Sequence, residues 1–144
     1  MIPAGPARAV IPAGPAPARP AWQRHALRWG PAVLWAATIF GLSSISSLPP
    51  PPGGLTDKHA HFGAYGLLAA LLVWGLTDRS PARTTWATAA AAVVLAALYG
   101  ASDEWHQSFV PGREVSALDL AADALGAAIA AGALRAWAII RARR

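Results

Sequence analysis

Four apolar stretches separated by short, breaker-rich gaps constrain this chain more than any other feature. They cover residues 31–48, 60–76, 85–101 and 118–134, each close to the about 20 residues that a helix needs to cross a bilayer. Pro49-Pro50-Pro51-Pro52-Gly53-Gly54 closes the first and Asp78-Arg79-Ser80-Pro81 closes the second. Pro111-Gly112 breaks the chain before the fourth. Only 13% of the 144 residues are charged and 55% are hydrophobic, against about 25% charged in a soluble domain. So short a chain cannot hide that much apolar surface in an aqueous core. A soluble helical hairpin would need more polar cover than exists. The pattern therefore predicts an all-α fold, an integral membrane four-helix bundle. Its spans are rich in Ala, which drives insertion weakly but lets helices approach closely.

The first 20 residues carry six prolines, and Ile2-Pro3-Ala4-Gly5-Pro6-Ala7 recurs as Ile11-Pro12-Ala13-Gly14-Pro15-Ala16. That density of Pro and Gly blocks helices and sheet ladders and reads as a disordered arm. The expected organisation is an arm over 1–29, a membrane domain over 30–140 and a basic tail over 141–144. The first span has the short core and trailing serines of a signal peptide, yet its long Pro-rich lead favours a retained anchor. The absence of Cys removes thiol nucleophiles, iron–sulfur clusters and Cys-type zinc sites.

The net charge of +5 invites a nucleic-acid reading, but the placement of the charges argues against it. Ten of the 12 basic residues flank one side of the four spans; only Lys58 and Arg113 fall on the other. The positive-inside rule then puts both termini in the cytoplasm, with Trp22, Trp29, Trp74, Trp86 and Trp137 as the inner aromatic belt. The expected partner is the lipid bilayer, with no nucleic acid. Asp57, Asp103, Glu104, Glu114, Asp119, Asp123, His59, His61 and His106 all map to the outer half.

Three blocks within that half carry the candidate chemistry. At the start of the second span, Asp57, His61 and Tyr65 share a helical face beside Lys58. A capping role for Asp57 is the bland alternative. At the end of the third span, Asp103 and His106 sit at helical spacing as an acid–base pair, with Glu104 and Gln107 nearby. The Pro111-Gly112 turn can aim Arg113 back over them, either to hold an anion or to lock the loop through a carboxylate. In the fourth span Asp119 and Asp123 lie four residues apart. An acid as deep as Asp123 must be paired, protonated or wet. His59-x-His61 and Glu104-x-His106 offer metal ligands, but no metalloprotease spacing is present. A Ser-His-Asp triad through Ser102 or Ser108 lacks a nucleophile elbow. No metal site and no cofactor are expected.

Together the blocks resemble the VanZ-like family of small bacterial membrane proteins, named after a protein associated with teicoplanin resistance. The resemblance rests on Asp57-Lys58 with His61 and Tyr65, on Ser102-Asp103-Glu104 with His106-Gln107, Phe109 and Pro111-Gly112-Arg113, and on Asp119 with Gly126. Asp123 stands where the family pattern has Asn. The resemblance covers about residues 31–135 and implies a four-span protein of the cell envelope, in the bacterial cytoplasmic membrane. The expected function is binding of an anionic envelope lipid or glycopeptide-related ligand in an outward-facing polar pocket, with a possible link to glycopeptide resistance. The expected pocket residues are Asp57, Lys58, His61, Tyr65, Glu104, Gln107, Arg113, Asp119 and Asp123. The alternatives are an enzyme acting on a lipid-linked substrate, with Asp103 and His106 catalytic, and a docking partner for another membrane protein.

Overall fold

The computed structural model describes residues 20–47, 49 and 53–144. Within them the chain forms four α-helices: α1 (Ala21–Ser43), α2 (Asp57–Leu76), α3 (Trp86–Gln107) and α4 (Ala117–Ala142). A 3-10 turn, Pro81–Arg83, joins α2 to α3. No strand occurs among the described residues. The Pro-rich repeat of 1–19 lies outside them.

α1 begins ten residues before the apolar stretch that announces it. Its first turns carry Gln23, Arg24, His25 and Arg28, which are polar but form helix readily. Apolar content marks the bilayer, whereas propensity marks the helix, so the expected arm and this helix overlap. Pro31 lies inside α1 and removes one backbone donor. The carbonyl it leaves, that of Leu27, is reached at 3.5 Å by Trp74 Nε1 of α2.

α2, α3 and α4 are long and apolar enough to cross a membrane. The polar start of α1 holds it outside that group. Its position compensates, because it is bonded to α2 from Gly75 back to Ala64 and then to α3 at Asp103. Arg28 Nε donates to Gly75 O at 2.6 Å, Trp35 Nε1 to Ala64 O at 2.8 Å and Ser43 Oγ to Asp103 at 2.6 Å. α1 therefore traverses the same depth as its neighbours.

The interior is built from small residues. Ala69, Ala92, Ala96, Ala127 and Ala131 are fully buried, whereas Leu34 is 71% exposed and Leu98 63%. Large side chains outside and alanine inside is the arrangement expected where lipid replaces water. α2 and α4 share the most extensive interface. A Cβ added to Gly126 of α4 would lie 2.1 Å from the Phe62 carbonyl oxygen of α2, so only glycine allows the two backbones to approach so closely.

The two ends of the bundle differ in charge. At one end Arg28 faces Asp78 at 4.0 Å and Arg135 donates to Thr84 O. Arg135 and Arg141 also cover the rings of Trp86 and Trp137. His61 and the acids other than Asp78 occupy the other end.

Candidate functional site

α2 opens with Thr56 as N-cap, whose N–H donates to His59 Nδ1 at 3.1 Å. That contact ties His59 into the cap and leaves Asp57, Lys58 and His61 to face other helices. Capping therefore falls to Thr56 and His59, and Asp57 is left available. Lys58 forms an ion pair with Asp119 of α4. His61 Nδ1 lies 2.9 Å from Asp123 Oδ1, and its Nε2 lies 3.8 Å from Asp57 Oδ2. Lys58 and His61 of α2 thus meet Asp119 and Asp123 of α4, pair by pair along the two helices. Asp123 is 0% exposed. It fits because residue 100 is glycine: a Cβ there would sit 2.7 Å from Asp123 Oδ2.

One turn deeper, Tyr65 stacks parallel to His61, with ring centroids 6.1 Å apart. Its hydroxyl is buried beside the Asp103 carboxylate without completing a hydrogen bond. Asp103 accepts from Ser43 Oγ at 2.6 Å and from Gln107 Nε2 at 3.0 Å, and so joins α3 to the end of α1. Glu104 turns the other way and accepts the Ser116 N–H at 2.9 Å, closing the loop into α4. Its Oε1 is buried without a partner.

Arg113 reaches back as the Pro111-Gly112 turn suggested, but it grips no carboxylate. Its Nε donates to Ile45 O at 3.0 Å and its Nη2 to Leu42 O at 2.9 Å. It satisfies the open carbonyls at the end of α1 while its charge stays unneutralised.

The candidate acid–base pair Asp103–His106 takes a different form. His106 Nε2 pairs with Ser44 Oγ at 3.0 Å and its ring stacks on Phe40 at 4.4 Å, while both oxygens of Asp103 are taken by Ser43 and Gln107. Successive turns of α3 point these two side chains at different residues of α1. The carboxylate–imidazole contact that does form joins α2 and α4, between His61 and Asp123. Sequence reasoning placed both residues in the pocket without pairing them, and it read Ser43 and Ser44 only as the trailing serines of a signal-peptide-like segment. The signal available was two polar stripes of matching spacing, 57/61/65 and 119/123.

Asp57, His61, Tyr65, Asp103, Gln107 and Arg113 line one cleft of about 110 Å³, which Ile39 and Leu42 of α1 and Ala60 and Ala64 of α2 also line. A neighbouring hollow of about 280 Å³ adds Lys58 and Asp119 and shares Asp57, Gln107 and Arg113 with it. Of the expected site residues, Asp123 backs His61 from behind, Glu104 serves the loop, and His106 sits toward α1 outside both hollows.

Compared with known proteins, residues 21–140 match the family model described as VanZ/LLP1. Neither a curated protein nor a solved structure matches the chain.

Proposed function

The chain belongs to the VanZ/LLP1 family of membrane proteins, and from that premise we propose that its cleft holds the anionic head group of an envelope amphiphile. The observation that carries this reading is Arg113. Its guanidinium lines the cleft while bonded only to neutral carbonyls, so it retains charge and N–H groups for an oxyanion. The apolar wall from α1 and α2 suits the first methylenes of an acyl or isoprenoid chain. Fewer acids face an anion at Arg113 than the count suggests: Asp119 is paired with Lys58, Asp123 lies behind His61, and Glu104 lines neither hollow, which leaves Asp57 and Asp103 in the cleft with it. On this reading the cleft opens outward at the cytoplasmic membrane, and both termini are cytoplasmic. A link to glycopeptide resistance rests on the family resemblance alone. It is tested by teicoplanin sensitivity of a deletion strain.

The direct test uses the full-length protein in detergent with undecaprenyl phosphate and, separately, phosphatidylethanolamine as probes, read by native mass spectrometry. The polyprenyl phosphate should be retained selectively, and Arg113→Ala should weaken retention about tenfold, near the low end for a lost charged hydrogen bond. Equal retention by Arg113→Ala, or no preference between the probes, rejects the reading.

A second reading, acid–base catalysis on a lipid-linked substrate, is favoured by the 2.9 Å contact between His61 and Asp123. A buried carboxylate fixing an imidazole is the working part of a general base. In that case His61→Ala abolishes function while lipid retention persists, and His106→Ala has little effect.

A further inference from the structure

We propose that Asp57, His61 and Asp119 form a site for a divalent transition-metal ion at the acidic end of the bundle. One ligand atom from each lies within 4.8 Å of the others. Small side-chain adjustments would bring such a set onto one ion, with ligand bonds of about 2 Å. Three side chains in proximity are a weak argument alone. The arrangement behind His61 strengthens it.

Asp123 Oδ1 lies 2.9 Å from His61 Nδ1 in a residue with 0% exposure. In the neutral imidazole that contact makes Nδ1 the donor and leaves the lone pair on Nε2. Nε2 is the atom turned toward Asp57, 3.8 Å from its Oδ2. A carboxylate that orients a histidine from its far nitrogen is the usual support of a metal-binding imidazole. One carboxylate oxygen is also left without a partner at this end of the bundle: Glu104 is buried, and while its other oxygen accepts from Ser116, its Oε1 accepts no hydrogen bond.

Charge points the same way. Asp57, Glu104, Asp119 and Asp123 surround this end of the α2–α4 seam. Among the described residues Lys58 is the lysine or arginine that ion-pairs with them, and Arg113, though charged, bonds to carbonyls rather than to any of these carboxylates. Such an excess of carboxylates in a low-dielectric setting calls for a further counter-charge. One nitrogen and two carboxylate donors suit Zn²⁺, Mn²⁺ or Fe²⁺ better than the all-oxygen preference of Mg²⁺ or Ca²⁺. Lys58 holds Asp119 Oδ1, which leaves the second oxygen for the ion and makes Lys58 the built-in competitor.

The test needs no knowledge of the head-group ligand. The full-length protein, purified in detergent with a histidine-free tag and stripped with a chelator, is titrated with Zn²⁺ by calorimetry and with Mn²⁺ by electron paramagnetic resonance. One equivalent should bind. His61→Ala and Asp119→Asn should each weaken binding by about tenfold or more, and Asp123→Leu by about tenfold through the lost orientation of His61. Lys58→Met should strengthen binding, an outcome that misfolding cannot imitate. His106→Ala, which removes a histidine that lines neither hollow, should leave affinity unchanged. Absent binding, binding that survives both His61→Ala and Asp119→Asn, or no gain from Lys58→Met overturns the proposal.

Discussion

Gly126 and Asp123 show how little space separates the helices around the site. A Cβ on Gly126 meets the Phe62 carbonyl oxygen at 2.1 Å, and neither backbone can yield without moving a helix. Gly126→Ala should therefore lower stability by about 3 kcal/mol, the upper range for overpacking. Gly132→Ala, with nothing within 4 Å of its new carbon, should be neutral. Thermal melting in detergent compares the two. Asp123 permits a finer comparison. Asp123→Asn keeps an acceptor for His61 Nδ1 and should melt close to the parent. Asp123→Leu leaves that nitrogen unpartnered in a buried place and should cost about 1–3 kcal/mol. A larger loss for Asn than for Leu would mean that the contact with His61 contributes nothing.

Among elements, the weakest junction is that between α1 and the rest. α1 packs mainly on α2, and its C-terminal end is held by Ser43 on Asp103, Ser44 on His106 and Arg113 on the Leu42 and Ile45 carbonyls. These bonds cross from one helix end to another chain segment, so their loss should loosen the end without unfolding the bundle. Arg113→Ala should raise the labelling rate of a cysteine placed at Ser46 several-fold, because the Ser46 carbonyl lies against Gly112. Arg113→Lys keeps one charged donor and should give an intermediate rate. An unchanged rate in Arg113→Ala would show that the serine contacts hold α1 alone.

For the molecule as a whole, the separation of charge between the two ends sets the orientation in the bilayer. The native chain has no cysteine, so single cysteines report cleanly. Those introduced at Gly53 and Ser108 should react with a membrane-impermeant maleimide on intact cells, and one at Ala82 only after permeabilisation. The opposite pattern would invert the topology proposed here. Four apolar runs, their breakers and the one-sided arginines were enough to read the helices and their order from the chain. Those features act locally, through hydropathy and backbone preference, and need no knowledge of neighbours. The membership of the polar end was legible for a related reason: a charge at the mouth of an apolar helix can be placed by its depth along that helix. Partner choice was not legible. Whether Asp103 meets His106 or Ser43, and whether Arg113 meets a carboxylate or a carbonyl, depends on the rotation of one helix against another. That rotation is set by close backbone approach at Gly126 and by the room left at Gly100, contacts between residues remote in the chain that only the packed bundle brings together.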